Sequence, residues 1–234
     1  MAKNTANIET ADEIEVTRAE QGGGFLLGNM RTLGIIGFVL LAVVGAVAFY
    51  LIRGAGANDE AQLALSRVRA YYDRGEYAVA ISGDSSKTMG TAKIIGLAAI
   101  VDKWASTPAG EIAALYLGNS YLALGQHEKA RAPYTTATGA DAELVRSAAH
   151  AGLGAVAEAA GKHEQAAEEY EKAASEDRLE LNTPEYLVAA ARNYERAKNT
   201  DEAIGLYRTV ATQYASSPAN TQARLALARH NVQM

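Results

Sequence analysis

One pattern of residues recurs along this chain, and it constrains the fold more than any other property. Leu117-Gly118-x2-Tyr121-x3-Gly125-x4-Ala130-x3-Tyr134-x2-Ala137 returns as Leu153-Gly154-x2-Ala157-x3-Gly161-x4-Ala166-x3-Tyr170-x2-Ala173, with every position displaced by 36. A third copy, displaced by 37, reads Ala190-Ala191-x2-Tyr194-x3-Lys198-x4-Ala203-x3-Tyr207-x2-Val210. A weaker one, Tyr71-x3-Gly75-x4-Ala80, precedes them. A period of this size marks one supersecondary unit stacked on copies of itself.

The spacing has a physical reading. Two helices of three to four turns meet at a tight turn. Gly118, Gly154 and Ala191 let the paired helices touch, and Tyr121 and Tyr194 fill the space between them. Gly125 and Gly161 fall just past the end of the first helix, where a left-handed residue closes it at little cost. Ala130, Ala166 and Ala203 sit where helices cross closely. Tyr134, Tyr170 and Tyr207 pack onto the neighbouring unit. One such unit cannot bury its own apolar face, so the expected fold is an all-α solenoid.

The pattern resembles the tetratricopeptide repeat, with its Leu-Gly-x2-Tyr, Ala-x3-Tyr and Ala signature. The resemblance runs from Asp59 to the C-terminus, so residues 59–234 read as about four units plus a C-terminal capping helix. The first unit is irregular: after Ala80 comes Ile81-Ser82-Gly83-Asp84 and a polar stretch to Gly90. An extra helix is expected over Ala92 to Trp104. Thr107-Pro108, Thr183-Pro184 and Ser217-Pro218 each pair a capping hydroxyl with a proline suited to a first helical turn. The last helix is expected from Thr221 to about His230.

Ahead of the repeats, Thr32 to Ile52 is one uncharged, mostly apolar run of 21 residues. As a helix it would be roughly 32 Å long, about one hydrocarbon thickness. The run exceeds the apolar core of a signal peptide, and the segment before it is acidic where signal peptides begin positive. It therefore reads as a retained single-pass transmembrane helix over 32–52, joined by a linker over 53–58. Ala42 and Ala46 could admit another helix, but the span holds no GxxxG pair and reads as a plain anchor. The flanking arginines, Arg18 and Arg31 against Arg53 and Arg67, tie, so charge does not orient the span. A short N-terminal tail favours a cytoplasmic N-terminus.

That tail, residues 1–31, sets Lys3, Arg18 and Arg31 against Glu9, Asp12, Glu13, Glu15 and Glu20, a net −2. Thr10 and Glu13 form a candidate capping box for a short helix ending at Gln21. The equal alternative is an acidic disordered tail. The whole chain carries −5 and has no cysteine. The first argues against a nucleic-acid partner, which needs a basic patch. The second excludes disulfides and Cys-ligated metal.

The order of parts is similar to a narrower bacterial group, single-span tetratricopeptide proteins of the YfgM-like type, ancillary to the Sec translocon. The shared features are the acidic tail, one span, an irregular first unit with Ser82-Gly83-Asp84, the turn Ser106-Thr107-Pro108-Ala109-Gly110, then regular units. The resemblance implies an inner-membrane protein with a cytoplasmic N-terminus and periplasmic repeats, in contact with the translocon or envelope chaperones.

Little in the chain points to chemistry. His127 and His163 occupy equivalent positions just after a turn and read as surface residues, and with His150 and His230 they offer no converging metal ligands. Glu168-Glu169 and Asp201-Glu202 read as solvated faces. Ser82 to Lys87 lacks the glycine spacing of a phosphate loop, so nucleotide binding is rejected. No enzyme activity and no cofactor are expected. What remains is a peptide groove lined by first-helix positions: Leu115, Asn119 and Leu122, then Ala155 and Glu158, then Arg192 and Glu195. It would grade from apolar to charged. Leu115 stands where a carboxylate clamp would need lysine, so such a clamp is not expected. The alternative is that these residues pack on the chain's own terminal helix. The function expected is a membrane-anchored adaptor for protein partners. A structural scaffold is the second reading, as an accessory subunit of a large membrane complex or through end-to-end self-association.

Overall fold

The computed structural model describes residues 38–47, 56–89 and 92–232. The acidic tail, residues 53–55 of the expected linker and the two ends of the expected span lie outside the described residues. Residues 38–47 are helical and exposed throughout. Among the described residues, no helix is long and apolar enough to cross a membrane.

Residues 55–234 form a compact unit of their own. Helix α1, residues 56–73, already includes the last three positions of the expected linker. It is followed by α2 (Tyr77–Ser82), β1 (Gly83–Met89), β2 (Ala92–Ile95), α3 (Leu97–Trp104), α4 (Pro108–Ala123) and α5 (His127–Ala137). Then come α6 (Glu143–Ala159), α7 (His163–Glu176), α8 (Thr183–Ala197), α9 (Thr200–Gln213) and α10 (Pro218–Arg229). The regular units are the antiparallel pairs α4–α5, α6–α7 and α8–α9, and α10 closes the stack by packing on α8 and α9.

The repeat positions do what their spacing predicts. Ala130, Ala166 and Ala203 are fully buried, as are Tyr134 and Tyr207 to within 1 %. Gly75, Gly125 and Gly161 take φ values of +75°, +70° and +71° at the turn between paired helices. The fourth unit makes the same turn with Lys198 at φ +68°.

The ring of Tyr134 explains why small residues recur on the first helices. A methyl group on Gly118 would lie 2.7 Å from that ring, and one on Gly152 only 2.3 Å from it. Gly118 belongs to the tyrosine's own unit and Gly152 to the next. The side chain is thus a peg held by two units at once, which is how the solenoid acquires its inter-unit core.

The irregular first unit departs from the all-helical expectation. Residues 92–95, expected to open a helix ending at Trp104, form strand β2, and the helix begins only at Leu97. β1 and β2 pair antiparallel, Gly83 opposite Ile95 and Met89 opposite Ala92, with a register shift between Asp84 and Thr88. The base of this hairpin is drawn tight by two glycines. A methyl group on Gly83 would lie 2.5 Å from the Gly96 nitrogen, and one on Gly96 would lie 2.2 Å from the Ile81 carbonyl oxygen. Asp84 anchors the hairpin to the helices: its carboxylate accepts from the Tyr71 hydroxyl at 3.1 Å and from the Ser86 backbone N–H and hydroxyl. One apolar cluster then joins α1, α2, β2, α3 and α4 through Val68, Ala80, Ile94, Leu97, Ile100 and Ala113.

Capping follows the sequence at two of three positions. Thr107 Oγ1 accepts from the Gly110 N–H, and Ser217 Oγ from the Ala219 N–H. The terminal helix accordingly starts at Pro218, three residues before the expected Thr221. Thr183 is not a cap. It lies inside α8, buried, and its hydroxyl donates to the Asp177 carboxylate at 3.1 Å, while that carboxylate accepts from the Asn182 N–H at 2.6 Å.

Candidate interaction groove

The curvature follows from which layer touches itself. α4 packs on α6 and α8 on α10, whereas α5, α7 and α9 make no comparable contact with one another. The first helices therefore line the inner, concave side.

The residues expected to line the groove divide into those used internally and those left open. Asn119 is used internally: Nδ2 donates to the Tyr72 hydroxyl at 3.1 Å, and Oδ1 accepts from the Tyr134 hydroxyl at 2.7 Å. Tyr72 in turn stacks on Tyr116, with ring centroids 4.5 Å apart. Leu115 and Leu122 are half-buried against the cluster of Ala130, Tyr134 and Val156. Ala155 is half-buried as well.

Further along, carboxylates take over. In the third unit Tyr170 donates to Glu158 at 3.4 Å, and in the fourth Tyr207 donates to Glu195 at 3.0 Å. Both pairs are twelve residues apart. The second unit has Leu122 at this place, so Tyr134 turns to Asn119 instead. Burial raises the hydroxyl pKa of all three tyrosines, that of Tyr170 to about 12. Each therefore stays a hydrogen-bond donor at any physiological pH.

Glu158 also accepts from Arg196 Nη1 of the next unit at 2.5 Å. Glu195 accepts from His230 Nε2 at 2.6 Å, and Arg229 approaches it at 3.8 Å. At Glu195, then, the groove wall meets the chain's own terminal segment. Burial acts to raise the Glu195 pKa, but the hydrogen bonds from His230 and Tyr207 and the Arg229 charge outweigh it and hold the carboxyl below its ordinary value. Arg192 is exposed. It lines a cavity of about 420 Å³ with Val188, Tyr207, Gln222, Leu225 and Arg229. A second cavity, of about 340 Å³, opens between α1 and α4, where Gln62, Arg69, Ile112 and Tyr116 are among its walls.

The histidines are not the surface residues that the sequence reading expects. His150 Nδ1 lies 2.8 Å from Glu169 Oε2, with both side chains less than a fifth exposed. Glu169, read as part of a solvated face, is thereby enclosed and also binds Lys172. His163 Nδ1 lies 3.0 Å from Asn193 Oδ1 in the next unit. His127 occupies the same repeat position, but the counterpart of Asn193 there is Val156, and its Nδ1 is buried without a partner among the described residues. Among the described residues, no three His, Asp or Glu side chains converge in a way that could hold a metal.

No curated protein matches the chain significantly. The family model described as Tetratricopeptide repeat matches residues 113–137 and 185–217, which span most of α4–α5 and α8–α9. Together with the helix pairing and the recurrent tyrosine pegs, that match supports reading these helix pairs as tetratricopeptide repeats.

Proposed function

We propose that the chain is a membrane-anchored adaptor, holding a tetratricopeptide solenoid beside a secretion or envelope-assembly machine and recruiting protein partners through its concave face. The observation that carries this reading is a division of labour between packing and surface. The tyrosines and small residues fill the spaces between units, while Arg192 and the cavity that it lines stay open on the inner wall. Tetratricopeptide repeats generally mediate protein–protein contacts, and a tether converts a weak contact into a useful one by raising effective concentration. The apolar run 32–52 and the exposed apolar helix over 38–47 within it support the anchor. The acidic tail, span, Ser-Gly-Asp turn and repeat order support a place near the Sec translocon, with the repeats on the periplasmic side. On this reading the protein is no enzyme.

The test is crosslinking in cells. A photoreactive residue at Leu122 or Arg192 of the full chain should trap Sec or envelope-assembly proteins, identified by mass spectrometry. Recovery of no such component from either position would defeat the translocon reading. Alkaline extraction of membranes should leave the full chain in the pellet, and release of the full chain into the supernatant would defeat the anchor.

A further inference from the structure

We propose that the C-terminal end of the concave face, the cavity walled by Val188, Arg192, Tyr207, Gln222, Leu225 and Arg229, binds an extended acidic segment of a partner protein in which a carboxylate side chain neighbours an apolar one. This names a ligand chemistry for the groove and rests on the adaptor reading.

The argument is one of unmatched charge. The carboxylates that the groove tyrosines bind are already engaged. Glu195 accepts from His230 and Tyr207, and Glu158 from Arg196 and Tyr170. The cations are not. Among the described residues, no carboxylate pairs with Arg192. Arg229 reaches only Glu195, at 3.8 Å, with its side chain 68 % exposed. Two guanidinium groups thus face one cavity with almost no acid left for them, in a chain whose overall charge is −5. A guanidinium fork matches a carboxylate in bidentate geometry, which favours an acidic ligand over a merely apolar one.

The apolar half of the ligand is set by the same wall. Leu225 is 63 % exposed on α10, and its cavity partner Val188 is 3 % exposed on α8. A leucine left open beside a buried valine is an unfinished apolar contact. About 420 Å³ is room for a few side chains and no folded element. The occupant is therefore an extended segment with acidic and apolar side chains close together.

The probe is a fluorescent dodecapeptide alternating glutamate and leucine, with a lysine-for-glutamate peptide as control, titrated by anisotropy against the full chain in lipid nanodiscs. The acidic peptide should bind at least about tenfold more tightly than the control and weaken with added salt. Arg192→Glu and Arg229→Glu should each weaken it about tenfold or more. Arg192 is exposed, so Arg192→Gln keeps the thermal midpoint and still weakens binding. Equal binding of both peptides, or indifference to both charge reversals, overturns the proposal. If the acidic peptide binds only after Glu9, Asp12, Glu13, Glu15 and Glu20 are changed to glutamine, the occupant is the chain's own tail, and both this proposal and the placement of tail and repeats on opposite sides of the membrane fail. If crosslinking recovers partners while neither peptide binds, the adaptor reading stands and this inference alone fails.

Discussion

His230 Nε2 lies 2.6 Å from Glu195 Oε1 and so fastens the end of the terminal helix to the inner wall of the fourth unit. The carboxylate has a second donor in the Tyr207 hydroxyl, whose residue is 1 % exposed. Its pKa is lowered in the folded state relative to 4.5. The stability it contributes is therefore fully present above 4.5 and lost as pH falls through the lowered value. Glu195→Gln should be about 1–3 kcal/mol less stable at neutral pH, because a charged acceptor of two donors is replaced by a neutral one. Its urea midpoint should then fall less steeply than the wild type's as pH is taken below 4.5. Parallel acid limbs for the two proteins would show that Glu195 carries no such linkage.

The Tyr134 peg makes a second prediction, about packing. Gly152→Ala places a methyl group 2.3 Å from the ring, against a side chain that is fully buried and held by Asn119. The ring cannot move away without opening the contact between two units. Overpacking of this kind costs about 1–3 kcal/mol, and here it acts at an inter-unit joint. Gly139→Ala, where the nearest atom is 3.5 Å away, is the control. Chemical denaturation should show a clear loss for the first and a small change for the second. Equal midpoints would mean that the peg is looser than its geometry.

These two sites show what the sequence makes legible and what it does not. Gly118, Tyr134 and Ala130 are readable because they recur at fixed offsets, and recurrence reports a packing constraint that every unit shares. Gly152 recurs nowhere, so its contact with Tyr134 emerges only in three dimensions. The hairpin at 83–95 is hidden for a related reason. Gly83 and Gly96 are needed because two backbones cross there, and nothing in a local window announces that crossing. The polar partners of His150, His163 and His230 lie 19 to 35 residues away. Their histidines consequently read as surface residues until the units are stacked. Asn119 sits on the expected groove face, yet two tyrosines claim it, while Arg192 on the same face remains open.

The turn of the fourth unit offers a stabilising change. Lys198 takes φ +68°, the conformation for which the second and third units use Gly125 and Gly161. A residue with a Cβ pays about 1–2 kcal/mol there, and glycine returns part of that gain as extra freedom in the unfolded chain. Lys198→Gly should raise stability by about 0.5–1 kcal/mol, visible as a higher urea midpoint at unchanged slope. The reverse change, Gly161→Ala, should lower it by a similar amount. It meets no atom within 4 Å, so its cost comes from the backbone alone. Opposite signs for the two substitutions would separate the conformational effect from any effect of side-chain contact.

The tyrosine pegs also fix how the solenoid responds to alkali. Burial is the leading cause that raises the hydroxyl pKa of Tyr134, Tyr170 and Tyr207, and for Tyr170 the value reaches about 12 against an ordinary 10.0. A group whose folded pKa is raised contributes stability that is complete below its unfolded value and is lost as pH rises through the folded one. For Tyr170 that window runs from 10.0 to about 12. Near-ultraviolet titration should therefore show the pegs ionising only above their ordinary value, together with loss of helical circular dichroism. Replacing all three pegs by phenylalanine removes the ionisations that fall at these inter-unit joints. Each replacement also gives up one hydrogen bond, at about 0.5–1.5 kcal/mol. The triple variant should thus be less stable at neutral pH, yet keep its helicity with a shallower dependence on pH above 10. If the pegs instead ionise while helicity is retained, they are open to solvent and the inter-unit core is not built as described.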